Sequence, residues 1–186
     1  LITTSIKKLF NINPIVVNET TNTGLKFNHI DQPKTIGSDL IVGAIAAREM
    51  FPNENCLILD LGTAITLFVV TKTSEFLGGC IMPGVCTSLH ALTNRTALLP
   101  NISLDKSNSI IGTNTIDCMQ AGFIYGFASM IDSMCQKIID ELHEPAHIIA
   151  TGGEAKFIIP HCTKKIILDE NLLLVGLNII YKKQNT

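Results

Sequence analysis

The chain has no tryptophan, and only 5% of its 186 residues are aromatic and 16% charged, where an ordinary soluble domain carries about 25% charge. With 46% apolar residues and a mean hydropathy of +0.34, that shortage excludes a disordered chain, whose composition is the reverse. A basic stripe is also missing. Fourteen Lys and Arg against 16 Asp and Glu leave a formal charge of -2, which gives no electrostatic footprint for nucleic acid. Long apolar runs are absent as well: 40–47 and 172–177 end at Arg48 and Asn178, far short of the roughly 20 residues of a membrane-crossing helix. No nucleic-acid or membrane partner is expected. The six cysteines, Cys56, Cys80, Cys86, Cys118, Cys135 and Cys162, form no Cys-x-x-Cys pair, which excludes a zinc ribbon or a thioredoxin motif. They read as buried free thiols of a cytoplasmic protein. No basic-then-apolar leader precedes the first predicted helix, 2–10, and the chain opens inside it at Leu1. The expectation is a chain that starts partway through a protein.

What is present is aliphatic, and it must go into an unusually buried core or into an oligomer interface, which resembles a core cut in half. A polar loop, 18–34, rich in Asn, Thr and Asp, ends at Pro33. Ser38 is placed to cap a helix starting at Asp39, whose small apolar residues run almost all round and predict burial. From Cys56 the period changes to that of strands: 56–60, 64–71 and 76–82 predict a three-stranded antiparallel meander, ended by Pro83-Gly84 and followed by a helix over 85–93. Over 116–142, apolar residues recur at spacings of three and four, and Asn114 with Asp117 reads as a capping box. A strand at 147–151, a glycine turn, a short helix, a strand at 166–168 and a helix at 171–183 complete an α/β layered fold.

Three glycine-bearing turns carry candidate chemistry. Asp60-Leu-Gly62-Thr63-Ala-Ile-Thr66 puts a carboxylate at a strand end, then a glycine and two hydroxyls. Backbone N–H groups and hydroxyls there suit an anion, and the carboxylate suits the cation that neutralises phosphate. A plain hairpin, with Asp60 accepting turn hydrogen bonds, is the alternative. Gly37-Ser38-Asp39 opens the small-residue helix, where Asp39 is either a first-turn acid complementing the dipole or a general base in a buried setting. Ala150-Thr-Gly152-Gly153 suits a nucleotide's sugar or phosphates. Gly78-Gly79 and Gly84 read as bends or points of close backbone approach. His143 and His147 are separated by Pro145, which forbids a helical metal pair, and His90 and His161 have no partners at catalytic or ligand spacing.

In this order the motifs resemble those of the type III pantothenate kinases, of the acetate and sugar kinase, heat-shock protein and actin superfamily. Gly37-Ser38-Asp39 is similar to the family's Gly-x-Asp-Arg motif, and Asp60 to Thr66 to its Asp-x-Gly-Thr-Ala-x-Thr motif. Gly78 to Gly84 with Ala91 to Pro100 resembles its dimer region. Ile111 to Thr115, Met119 to Gly122 and Ala150 to Gly153 match as well. The resemblance implies an actin-like (ribonuclease H-like) layered fold, with 1–50 the remainder of an N-terminal lobe plus a substrate-side helix and 51–186 a C-terminal lobe with the dimer interface. It implies a homodimer that phosphorylates pantothenate with ATP, Mg²⁺ and a monovalent cation, K⁺ or NH₄⁺, in the first step of coenzyme A biosynthesis. By motif position Asp39 would be the base and Asp60 the monovalent-cation ligand. Gly62, Thr63, Gly152 and Gly153 would face ATP; Gly37, Ser38, Asp39 and Leu40 would line the pantothenate site, and Thr115 would reach it from a partner subunit. Positioning and charge neutralisation are most of what phosphoryl transfer requires.

The sequence departs from the pattern at three points. The family's opening Asp-x-Gly-Asn-Thr phosphate motif has no counterpart, Leu40 stands where the family has arginine, and Ile30 stands at a family tyrosine. Loss of that arginine removes a fixed charge and five donors. The expectation is weak or absent turnover, and it keeps two alternatives open: a non-catalytic dimeric relative with a regulatory or binding role, or a kinase of another small hydroxylated substrate.

Overall fold

The computed structural model describes residues 2–105 and 109–184; Leu1, on which the expectation of a truncated start rested, lies outside them. Helix α1, Ile2–Phe10, buries none of its residues. The 18–34 stretch follows as loop with a 3-10 turn at Pro33–Thr35. Helix α2 is Ser38–Met50, and strands β1 Asn55–Leu61, β2 Ala64–Val70 and β3 Phe76–Pro83 form the expected meander. Next come α3 (Val85–Asn94), α4 (Thr115–Leu142), β4 (Ala146–Thr151), α5 (Ala155–Ile158), β5 (Ile166–Leu168) and α6 (Leu172–Gln184). Five strands make one sheet in the order β3-β2-β1-β4-β5, with β4 and β5 parallel to β1. A meander continued by two parallel strands is the layered α/β arrangement that the sequence predicts.

Strand alternation explains the layers. Leu57, Leu59 and Leu61 of β1 point to one face with Ile65, Leu67 and Val69, and pack under Val85 and Leu89 of α3 and Met119, Ala128, Ile131 and Cys135 of α4. Cys56 and Ile58 point to the other face with Phe68 and Val70, and meet Ala44 and Ala47 of α2 and Leu172 of α6. A side chain in a strand alternates faces with period two, so a central strand needs both sets apolar. Truncating fully buried Leu57 to Ala would cost roughly 2–5 kcal/mol.

Helix α2 is buried from Ile41 through Ala47, as its composition predicts. It lies close against α6: a Cβ on Gly176 would stand 2.8 Å from Val42 Cγ1, so small residues set the depth of the crossing. Gly79 likewise allows close backbone approach, since a Cβ there would meet Phe68 Cα at 2.6 Å. Asn114 caps helix α4: its Oδ1 accepts the Asp117 N–H at 3.0 Å, but Asp117 Oδ2 returns to the Asn114 side-chain amide at 2.7 Å rather than to its backbone N–H, so only half of the expected capping box is present. The helix stops at His143, in the left-handed region at φ 54°. His147 falls in β4 and bonds Glu54 Oε2 at 2.7 Å.

Two expectations need correction. Gly37, not Ser38, is the α2 N-cap; the Ser38 hydroxyl donates instead to the Val17 carbonyl at 2.7 Å, so a long-range loop contact outcompetes local capping. The thiols are all free, but only Cys56 and Cys135 are buried, and Cys118 is exposed.

Candidate active site

The C-terminal ends of β1 and β4 and the start of α2 converge at one end of the sheet. Asp60 is the second-last residue of β1 and is in register with Thr66 of β2 and Thr151 of β4, so the three side chains share a face. By alternation that is the face carrying α2. Asp39, in the first turn of α2, is near enough for its charge to act on Asp60. Burial is the main cause that raises the Asp60 carboxyl above its ordinary value, with the Asp39 charge second, because lost solvation and a nearby negative charge both disfavour its ionised form.

No donor among the described residues reaches the Asp60 carboxylate, so the hairpin alternative, with Asp60 accepting turn hydrogen bonds, is not what the structure has. Beside it the Thr66 hydroxyl oxygen is buried without a hydrogen-bond partner. Such groups are costly unless something else satisfies them. A half-buried carboxylate without donors next to an unpaired hydroxyl oxygen is a donor set that fits a hard cation. Among the described residues no group of three His, Cys, Asp or Glu side chains is arranged to hold a metal ion, so such a cation would take its remaining ligands from elsewhere, phosphate oxygens included.

Asp39 itself is exposed, which corrects the expected buried setting. Its Oδ1 accepts the Leu40 N–H at 2.9 Å and occupies the space a Cβ on Gly37 would fill. No donor among the described residues bonds its Oδ2. Leu40 is half-buried and packs with Ile30, Ile36 and Phe27 against the α2-side core, so it offers shape and no charge.

The β1–β2 turn presents Thr63, an exposed residue, whose carbonyl accepts the Gly84 N–H at 3.0 Å and the Thr87 hydroxyl at 2.7 Å. Gly84 is glycine for a spatial reason: a Cβ would lie 2.7 Å from the Thr63 carbonyl oxygen. Gly152 has φ +98°, and a Cβ there would meet Asp60 Oδ1 at 2.6 Å, so it is required for both conformation and clearance. Beside Gly152 and Gly153 a groove of about 380 Å³ opens, lined by Thr151, Lys156, Glu170, Leu173 and Leu174. Gly37, Ser38, Asp39, Leu40, Asp60, Gly62, Thr63, Gly152 and Gly153 therefore collect at one end of the sheet.

Thr115 does not join them. It begins α4 on the opposite face of the sheet and lines a cavity of about 610 Å³ with Leu92, Leu99, Cys118, Met119, Gly122, Phe123 and Phe127. Glu154 is the residue that sequence reasoning missed: its carboxylate accepts the Val85 N–H at 2.8 Å. Nothing local in Gly-Gly-Glu announces a bond to a helix 69 residues earlier.

The chain matches the sequence profile of the type III pantothenate kinases over residues 2–137. It is 37% identical over 177 residues to the type III pantothenate kinase of Halalkalibacterium halodurans, covering 95% of this chain and 69% of the relative. It is 36% identical over 179 residues to that of Syntrophus aciditrophicus, covering 96% and 70%. Among solved structures, a conserved protein from Campylobacter jejuni described as a Baf family transcriptional activator superimposes with a TM-score of 0.62 at 24% identity, over 100% of this chain and 79% of the other. That likeness speaks for a shared α/β layered fold alone. On the sequence matches, this chain belongs to the type III pantothenate kinase family.

Proposed function

We propose that this chain phosphorylates the primary hydroxyl of pantothenate with ATP, giving 4'-phosphopantothenate in the first step of coenzyme A biosynthesis. The observation that carries the reading is the meeting of Asp39 and Asp60 on one sheet face, beside Thr63 and the Gly152–Gly153 turn, in a chain of this family. Asp39 Oδ2 takes the hydroxyl proton as the oxygen attacks phosphorus. Thr63 and the glycine turns hold the nucleotide, and the groove beside Gly152 suits its sugar and base. Asp60, with the Thr66 hydroxyl beside it, would hold the monovalent cation, K⁺ or NH₄⁺, while Mg²⁺ would come with the nucleotide. A bound cation neutralises phosphate charge as it is transferred.

Thr115 enters this reading from a second copy, because its own sheet separates it from Asp39. Exposed Leu98, Ile110 and Ile111, each at least 70% accessible and lying between α3 and α4 in the chain, support a homodimer seam on the α3 and α4 side. Among the described residues no helix is long and apolar enough to cross a membrane, and six free thiols support a cytoplasmic setting. The domain reading, 1–50 and 51–186, stays part of the proposal.

The test is an assay of the purified chain with ATP, Mg²⁺ and pantothenate, with and without K⁺, reading phosphopantothenate by mass spectrometry and mass in solution by sedimentation. Slow, K⁺-stimulated product from a dimer is expected, because Leu40 stands where the family has arginine. Calorimetry showing no binding of either ATP or pantothenate would instead identify a non-catalytic relative. Leu40 supports a second reading, a kinase of a hydroxylated substrate without a carboxylate, since an apolar side chain cannot pair one. A panel of neutral acceptors separates the two.

A further inference from the structure

Helix α3 has a glycine N-cap with no side-chain acceptor of its own, yet its first N–H groups are satisfied. Val85 N–H donates to Glu154 Oε2 at 2.8 Å and Cys86 N–H to Oε1 at 3.3 Å. The same Glu154 donates its own N–H to the Leu61 carbonyl at 3.0 Å. Gly84, the α3 N-cap, donates to the Thr63 carbonyl at 3.0 Å. The bonds run from the β1–β2 turn to the head of α3, from there to the β4–α5 turn, and back to β1. The two turns that would face the nucleotide are thus tied to each other and to the head of α3, and Glu154 makes two of the ties.

We infer that Glu154 is a positioning residue for phosphoryl transfer: it fixes the Thr63 turn and the Gly152–Gly153 turn at one spacing through the head of α3. The inference rests on the ATP reading above. The bonds to Glu154 have a second consequence. A helix N-terminus attracts anions through its unpaired N–H groups and dipole. Here a carboxylate of the same chain already satisfies them, so α3 does not compete for the triphosphate and the phosphates are left to the Thr63 side. Truncating Glu154 releases two donors, loosens the spacing and opens a second anion site.

The experiment compares the wild-type chain with Glu154→Ala and Glu154→Gln, in kinetics and in amide hydrogen exchange. Displacement of reacting groups by about 1 Å can cost on the order of 100-fold in rate. Glu154→Ala is expected to lower kcat/KM for ATP about tenfold or more, while KM for pantothenate stays within about twofold. Glu154→Gln, which keeps an acceptor for Val85, recovers most of the loss. A fall in Tm with kcat and KM for ATP unchanged would mean a cap that only stabilises α3, and would overturn the inference. If the wild-type chain itself turns over no pantothenate, the function reading fails and exchange decides the ties. In Glu154→Ala the Gly84 amide, which bonds Thr63, should lose protection about tenfold together with Val85. Gly84 protection unchanged beside an unprotected Val85 would show that the turns are not coupled.

Discussion

Asp39 and Asp60 stand on different elements, one at the head of α2 and one near the end of β1, and the Asp60 carboxyl is raised first by its burial and then further by the Asp39 charge. A carboxyl raised by burial and by a neighbouring acid, on an end of the sheet where a hydroxyl oxygen is also left unpaired, describes a site arranged for positive charge rather than for its own stability.

That arrangement makes Asp60→Asn stabilising in the absence of cations. The folded carboxyl lies above its unfolded value of 3.8, so its contribution is fully present below that value and is lost as pH rises through the raised folded value. Near neutral pH the ionised Asp60 therefore works against folding, and Asn removes that cost. The gain should be on the order of 1 kcal/mol or less, since the half-exposed carboxylate is screened by water. Thermal unfolding at pH 7 measures it. The same variant should lose any rise in Tm produced by K⁺. A variant less stable than wild type without K⁺ would sink the assignment.

Asp39→Asn should fold normally, because the residue is exposed and an amide oxygen still accepts the Leu40 N–H. General-base loss costs about 100- to 10,000-fold, so kcat should fall by that order with KM for ATP little changed. Independently of turnover, removing its charge should move the Asp60 titration down, which carboxyl NMR can follow.

Gly152→Ala should damage the site although it replaces no side chain assigned to the reaction. A Cβ would press on Asp60 Oδ1 at 2.6 Å from a φ of +98°, and such strained non-glycine backbone costs about 1–3 kcal/mol. The expected result is a lower Tm and weaker ATP binding by calorimetry.

Asp132 of α4 tests fold stability away from the site. It accepts the Thr163 N–H at 2.6 Å, the Thr163 hydroxyl at 2.7 Å and the Lys164 N–H at 3.0 Å. Burial alone would raise its carboxyl, but these bonds and the Lys164 charge hold it below the ordinary value of 3.8. This stability is present above pH 3.8 and is lost as pH falls through the lower folded value. Asp132→Ala should cost about 1 kcal/mol at pH 7 after solvent screening, and the difference from wild type should shrink in acid, as chemical denaturation at both pH values would show.

Much of this protein was determined locally. The apolar residues of 56–60 marked a strand, though its two buried faces emerged only with the packing. The run from Ile41 to Ala47 marked a buried helix, and the three- and four-residue spacing marked α4, because these periods arise from backbone geometry within one element. The motif residues Asp39, Asp60, Thr63, Gly152 and Gly153 were likewise legible one by one. What each of them faces was settled only by tertiary structure. Strand register put Asp60 between Thr66 and Thr151 and on the face of α2. The sheet put Thr115 on the other side, and a loop carbonyl at Val17 drew Ser38 away from its capping role. Glu154 caps a helix 69 residues away. A sequence pattern reports the period of one element; a charge pair, an unpaired hydroxyl and a cap supplied from a distant turn exist only once several elements have packed.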